Sequence, residues 1–265
     1  MQYNGFREEV SAGLNNRQKH EYRRDILLAW LYEFKFTDYA TAFDLVGLSK
    51  EKGGYRFIRD LIEKGAVTRF HNLVIGDQIN LLKITADGVK YLKSKNMIDA
   101  EAPYVRSKRL QSNSAMSHHL GTQKAVMRLI SRLNAKIEDR FTADVEWEPK
   151  IGEIQPDALV KINLIDRGGQ MTIAVEFERT AKNRKRVFYT LKQHDKNISD
   201  GLYSRAWYCF DDESIRGQYK GWFEHESWEN VTRNSEHQLK HTRSRYEPAN
   251  RGEFSFNKIK AKAKG

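Results

Sequence analysis

The amino-acid sequence predicts an α/β protein of the α+β kind. A small N-terminal domain of helices and one strand pair precedes an α-β-β-β-α-β core with a mixed sheet. Three observations predict this: helical apolar spacing with a strand pair in the first hundred residues, a helix followed by three strand-like runs after residue 116, and an Asp-Arg-Gly-Gly hairpin turn at 166–169. The predicted bounds are 20–100 for the first domain, 101–116 for a polar linker, 117–232 for the core domain and 233–265 for a basic tail.

Composition restricts the class of protein. Hydrophobic residues make up 39% of the 265 residues, enough for a folded core. The longest apolar run, Ile26–Tyr32, is far shorter than the roughly 18 residues that a membrane-spanning helix needs, and the first ten residues show no apolar signal segment. The single cysteine, Cys209, excludes a disulfide framework and a cysteine-based zinc site. We therefore expect a soluble, cytoplasmic protein without a membrane span.

The positive charge is concentrated at the two ends of the chain. The net charge is +11, of which residues 1–110 carry +5 and residues 233–265 carry +6, whereas residues 111–232 are neutral. This distribution is typical of a protein that binds nucleic acid with its two terminal regions and has acidic residues in a central site. The alternative is a basic tail that only improves solubility.

The first domain contains four helical patterns and one strand pair. In the third helix, Lys52, Arg56 and Arg59 share one face at spacings of four and three, opposite an apolar face. Thr, Ser and Gly residues stand where caps are expected. The predicted bounds are helices at 24–34, 37–47, 49–65 and 85–94, and strands at 67–74 and 79–84.

This order of elements, the closing ITADGVKYL and the Gly65-Ala66-Val67 step resemble a winged helix-turn-helix. The resemblance implies that the third helix enters the major groove of double-stranded DNA and that the strand pair forms a wing. Winged helices also serve as dimerisation or protein-docking modules, and this alternative stays open. The residues implied in DNA binding are Lys52, Tyr55, Arg56 and Arg59 on the helix, with Arg69 and His71 on the wing.

Three acidic residues carry the chemistry of the core domain. Asp157 begins an apolar strand, and Glu176 and Glu178 interrupt the next strand. Because side chains alternate along a strand, the two glutamates share a face, and the hairpin at 166–169 places the aspartate on the same rim. The alternative is a pair of edge-strand glutamates that face solvent.

Clustered carboxylates repel one another unless one is protonated or a cation lies between them. Oxygen ligands of this kind suit Mg²⁺ or Mn²⁺, so we predict Asp157, Glu176 and Glu178 as metal ligands. Such an ion polarises a phosphodiester and stabilises the leaving oxygen. Lys182, Lys185 and Arg186 lie just beyond the strand and are placed to neutralise phosphate.

The Pro156-Asp157 pair and the Glu176-x-Glu178 run resemble the PD-(D/E)xK restriction-endonuclease superfamily over about residues 117–225. The resemblance implies that Asp157 and Glu176 are paired metal ligands and that the carbonyl of Phe177 is a third. Asp157, Glu176, Glu178 and Lys182 are then the catalytic residues. The sequence departs from the motif at Glu178, which stands where most members have lysine. Lys182 or Lys185 is the candidate for the missing charge.

The whole arrangement, including HHLGTQ, QPDALV and AVEFERTAKNRKR, resembles the MobC/replication-relaxation family over about residues 20–225. That resemblance implies a plasmid mobilisation relaxase, an endonuclease that nicks one strand at a transfer origin during conjugation. Relaxosome accessory and coupling proteins are the further partners that it suggests. The target sequence, the metal preference, the oligomeric state and a covalent tyrosine–DNA intermediate stay open.

Two rival functions remain. The first is a transcriptional or replication regulator with a decayed nuclease fold, which Glu178 in the lysine position favours. The second is a defence restriction enzyme, which would cut both strands and act as a dimer.

Overall fold

The computed structural model describes residues 2–3, 13–74, 77–103, 113–137, 141–225 and 227–259. In these ranges the protein is an α/β protein with seven α-helices and a mixed main sheet. The predicted helices and strands occur in the predicted order, and the structure adds five strands that were not predicted: Gln2–Tyr3, Thr37–Asp38, Trp228–Arg233, Leu239–Tyr246 and Phe254–Lys258. The chain divides into two compact units, Met1–Trp147 with Ile162–Gly169, and Glu148–Lys161 with Gln170–Gly265.

The first unit is mainly helical. Its three-stranded sheet has the antiparallel order β2-β4-β3, and β1 pairs with β5, also antiparallel. Its elements are β1 (Gln2–Tyr3), α1 (Asn16–Phe34), β2 (Thr37–Asp38), α2 (Tyr39–Leu45), α3 (Tyr55–Glu63), β3 (Val67–Val74), β4 (Asp77–Ile84), α4 (Ala86–Ser94), α5 (Asn113–Lys136) and β5 (Phe141–Trp147).

The third helix starts later than the sequence predicts. Ser49 caps a π-helical turn at Lys50–Gly54, and α3 begins only at Tyr55. The reason is Gly53, whose φ of 86° breaks the helix. Gly54 is buried so closely that a Cβ there would lie 2.7 Å from the ring of Phe43, so the second glycine of the pair is also required.

The predicted linker at 101–116 needs correction at its end, and residues 104–112 lie outside the described residues. Residues 113–116 form the first turn of α5. Met116 is buried against Phe36, Leu81 and Leu120, all in the first unit. Gln123 on the same helix accepts a hydrogen bond from Trp30 Nε1 at 2.8 Å. The helix predicted to open the second domain is therefore part of the first unit.

The second unit holds the acidic residues. Within it the strand order is β6-β7-β8-β11, and β7, β8 and β11 are parallel. A separate antiparallel pair, β9 and β10, packs on α6. The elements are β6 (Ala158–Leu164, the last three residues of which belong to the first unit), β7 (Gln170–Glu178), α6 (Arg184–Ser199), β8 (Arg205–Phe210), α7 (Glu213–Phe223), β9 (Trp228–Arg233), β10 (Leu239–Tyr246) and β11 (Phe254–Lys258).

The predicted basic tail at 233–265 is folded over much of its length. Phe254 pairs with Ala206 in parallel register and is buried, so β11 is a strand of the sheet. The buried carboxylate of Asp195 fixes the chain before it by accepting the backbone N–H groups of Ala249 at 3.0 Å and Asn250 at 2.7 Å. Residues 260–265, the last part of the predicted tail, lie outside the described residues.

None of the helices in the described ranges has both the length and the apolar content needed to cross a bilayer.

Candidate active site

The three predicted acids lie around the start of β6 and the end of β7. Asp157 directly precedes β6, and its Oδ2 accepts the backbone N–H of Phe177 at 2.7 Å. This hydrogen bond fixes the aspartate beside the stretch of β7 that carries Glu176 and Glu178. The two glutamates are only 5% and 3% exposed, so they do not form a solvent-facing pair.

Glu178 is paired with a lysine that follows it by four residues. Lys182 Nζ lies 2.5 Å from Glu178 Oε1, and the lysine side chain is 25% exposed. Lys182 lies in the turn between the end of β7 at Glu178 and the N-cap of α6 at Asn183. This turn places the lysine beside the end of β7. Lys185, the other candidate for the motif lysine, is in the first turn of α6, and no contact with Glu178 is found for it. Lys182 therefore supplies the charge next to the acids.

Burial and mutual repulsion set the charge of this pair. Burial raises the pKa of Glu178 to about 7, the ammonium of Lys182 opposes the shift, and the charges of Glu176 and Asp157 add to it. Burial alone would lower the pKa of Lys182, but the three carboxylates outweigh it and the pKa is raised. Lys182 is therefore protonated at neutral pH, while Glu178 is balanced between its two forms.

Glu176 is held by a histidine on α6. His194 Nε2 lies 3.0 Å from Glu176 Oε1, and both side chains are buried. Burial first, and then the charge of Lys182, lower the pKa of His194 to about 3 despite the opposing carboxylates of Asp157 and Glu178. The imidazole is therefore neutral at physiological pH, with one nitrogen that donates and one that accepts.

The second nitrogen of His194 continues the hydrogen-bond chain away from the acids. Nδ1 lies 2.6 Å from the hydroxyl of Tyr203, which also accepts from Asn197 Nδ2 at 3.2 Å. An ionised carboxylate only accepts, so with Glu176 ionised Nε2 carries the hydrogen and Nδ1 accepts from Tyr203. Gly152 packs against Asn197 at the far end of this hydrogen-bond network. A larger residue would not fit there, because the φ of 58° favours glycine and a Cβ would lie 2.8 Å from Asn197 Oδ1. These hydrogen bonds hold His194 in place, and His194 in turn fixes the orientation of Glu176.

Sequence reasoning missed His194, Tyr203 and Asn197. A signal for the histidine does exist: Val187, Leu191, His194 and Ile198 recur at spacings of four, three and four, so the histidine occupies a core position of an amphipathic helix. A polar residue on that stripe must find a buried partner. Nothing comparable marks Tyr203, which lies in the loop before β8.

The predicted DNA-binding residues of α6 lie at its start. Arg186 is exposed and Lys185 is half-buried, while Arg184 pairs with Glu229 at 2.9 Å. The chain thus places basic side chains within one turn of Lys182.

The predicted DNA-binding residues of the first unit lie on α3, on the turn before it and on β3. Tyr55 is 52% exposed and packs its ring against Tyr39 and Phe43. Lys52 and Arg56 line a pocket against α1. Arg59 is exposed and lies 3.9 Å from Glu63. Arg69 and His71 are exposed on β3.

The prediction that Asp157, Glu176 and Glu178 together bind a metal ion stays a prediction. In the parts of the chain that the structure describes, no group of three or more His, Cys, Asp or Glu residues could hold a metal ion. Glu178 is paired with Lys182. A Mg²⁺ site does not need three protein ligands, because the ion is usually held by one or two carboxylates together with water and substrate phosphate. Asp157 and Glu176 provide a donor set of that size.

Comparison with known proteins gives little. No family model and no curated protein matches the chain. A solved CdiA-CT/CdiI toxin and immunity complex from Burkholderia pseudomallei is similar to part of it, at 11% identity over 54% of this chain and 96% of that chain, with a TM-score of 0.22. A likeness this weak defines neither the fold nor the function of the protein.

The opposite pKa shifts of Glu178 and His194 predict how stability depends on pH. The pKa of Glu178 is raised in the folded protein. Its contribution to the free energy of unfolding is therefore present at low pH and is lost as the pH rises from about 4.5 to about 7. The folded pKa of His194 is depressed, so its contribution is present above about 6.5 and is lost as the pH falls toward 3. Between pH 7 and pH 5 the two nearly cancel.

Removing either group should make the effect of the other on the pH dependence of stability measurable. Compared with the wild type, Glu178→Gln should lose about 2 kcal/mol more of its unfolding free energy between pH 7 and pH 5, and His194→Gln about 2 kcal/mol less. Urea unfolding at the two pH values measures both changes, and Glu236→Gln, an exposed acid in the same unit, is the control. Identical pH dependence in all four proteins would contradict these titrations.

Proposed function

We propose that the protein is a metal-dependent DNA endonuclease that nicks one strand, as a plasmid mobilisation relaxase of the MobC type. The observation that carries the proposal is the contact of Lys182 Nζ with Glu178, beside Asp157 and Glu176 on adjoining strands. Two carboxylates and one lysine at the ends of neighbouring strands are what the PD-(D/E)xK chemistry requires. The lysine comes from four residues further along the chain than in the usual motif.

Each residue has a separate task in this proposal. Asp157 and Glu176 would hold Mg²⁺ or Mn²⁺, which polarises the scissile phosphate and stabilises the leaving oxygen. Lys182 would donate to a non-bridging phosphate oxygen, with Glu178 holding its ammonium in place. His194 keeps Glu176 in one orientation, because its other nitrogen is fixed by Tyr203. His194 is thus a positioning residue.

The first unit would locate the DNA as a winged helix. The order α1, α2, α3, β3, β4 and α4 supports this, as does the basic start of α3. Arg186 and Lys185 would contact the DNA backbone near the cut. Such contacts position the protein on DNA without reading sequence.

A double substitution tests the role of the first unit. Lys52→Ala with Arg56→Ala should weaken binding to origin DNA and lower the slope of log K against log salt by about 2, because two phosphate contacts are lost. Fluorescence anisotropy over a salt series measures this, with Lys90→Ala on α4 as the matched control. An unchanged slope in the double variant would remove these residues from the DNA interface.

The two rivals differ from the proposal in their products. A regulator with a decayed nuclease fold is favoured by Glu178 and by the lack of a three-ligand metal group among the described residues. It would leave supercoiled plasmid intact in Mn²⁺. A restriction enzyme would give linear DNA, whereas the proposed enzyme gives nicked circles. One gel of origin-bearing supercoiled plasmid separates the three.

A further inference from the structure

A pocket of about 560 Å³ lies between α1 and the start of α3 in the first unit. Its volume is in the range of pockets that hold small ligands. Six basic side chains and two acidic ones line it, so its charge is strongly positive. The basic residues are Arg17, Arg23, Arg24, Lys52, Arg56 and Lys64.

The two acids of the pocket are already paired. Glu21 lies 3.2 Å from Arg17, and Asp60 lies 2.9 Å from Lys64 and 3.2 Å from His20. Burial lowers the pKa of His20, and the nearby cations Lys64, Arg24 and Arg23 lower it further despite Asp60. These pairs leave Lys52 and Arg56 without an acid of the pocket close to them.

Two arginines of the pocket, Arg23 and Arg24, are anchored, whereas Lys52 and Arg56 are not. Arg23 Nε donates to the carbonyl of Val46 at 3.1 Å, and the guanidinium of Arg24 lies 4.1 Å from the centre of the Tyr91 ring. Lys52 and Arg56 make no ion pair within the residues that the structure describes. Fixed guanidinium groups on one wall and unpaired cations on the other suit a ligand with several negatively charged oxygens.

We propose that this pocket binds a phosphate group, carried either by the DNA backbone or by a small phosphorylated molecule such as a nucleotide. Arginine forks match the geometry of phosphate oxygens and can bind them in pairs, so Arg23 and Arg56 from opposite walls would hold the group. Gly53, in the wall of the pocket, has a φ of 86°, and this turn brings Lys52 and Arg56 to the same side. The proposal does not depend on the nuclease activity of the second unit.

Calorimetric titration of the full chain with inorganic pyrophosphate tests the proposal. We expect saturable binding with a Kd of about 1 mM or lower. Arg56→Gln and Arg23→Gln should each weaken it by about tenfold or more, while Lys90→Gln, which removes a charge elsewhere in the same unit, leaves it unchanged. Arg56 is exposed, so its variant should fold normally, and circular dichroism checks both.

Absence of saturation at about 10 mM pyrophosphate would overturn the proposal. So would an equal loss in Lys90→Gln, because binding would then reflect general charge. A second titration in the presence of saturating duplex DNA identifies the source of the phosphate. Competition assigns the site to the DNA backbone, and undiminished binding assigns it to a small phosphorylated ligand. Both results support a phosphate site.

Discussion

Asp157→Asn and Glu176→Gln are each expected to reduce nicking of supercoiled origin DNA by about a thousandfold or more in Mg²⁺, because each removes one of the two charges that hold the metal ion in the proposed mechanism. Both substitutions preserve shape. The asparagine can still accept the N–H of Phe177, and the glutamine can still accept from His194. Nicked product measured over time on agarose gels gives the rates.

DNA binding should change little in these two variants, since the first unit, which we propose to bind the DNA, is intact. Glu236→Gln, an exposed acid in the second unit, is the control and should nick at the wild-type rate. Wild-type rates in both Asp157→Asn and Glu176→Gln would refute the active site. A loss of DNA binding equal to the loss of nicking would instead indicate that the acids support folding.

Lys182→Met should lower the nicking rate by about a hundredfold, because it removes the donor that we propose to stabilise charge on the phosphate. Lys182→Arg keeps a cation at this position and should recover part of the activity. The methionine variant leaves Glu178 buried without its partner, and this raises the pKa of the glutamate further and destabilises the fold. Adding Glu178→Gln to Lys182→Met removes the carboxyl group that has lost its partner and separates the two effects.

The double variant should regain stability in urea and stay slow in nicking. Lys220→Met, on the exposed side of α7 and paired with Glu224, is the matched control. If the double variant nicks as fast as the wild type, Lys182 only neutralises Glu178 and has no part in the reaction.

Much of the element order follows from the sequence, because local signals determine it. The amphipathic spacing of α1 and α3, the alternation in β3 and β4, and the Gly168-Gly169 turn before β7 all act over a few residues. Asp157, Glu176 and Glu178 were predictable as neighbours for the same reason. One short hairpin joins their strands.

Long-range pairing explains what the sequence did not predict. Residues 173–178 of β7 are all buried, and β7 lies between β6 and β8 in the sheet, so the alternation of side chains does not identify a solvent-facing side. β11 pairs in parallel with β8, which lies more than forty residues earlier in the chain. No turn motif in the sequence indicates this pairing. The contact of His194 with Glu176 joins a helix to a strand in the same way.

Mn²⁺ binding to the wild-type protein and to Asp157→Asn, counted by electron paramagnetic resonance, tests most directly whether the acids at β6 and β7 form a metal centre. We predict one ion bound per wild-type chain with a Kd of about 1 mM or lower, and binding at least about tenfold weaker in the variant. Equal binding to both proteins, or none to either, would contradict the nuclease account and leave the regulator as the better explanation.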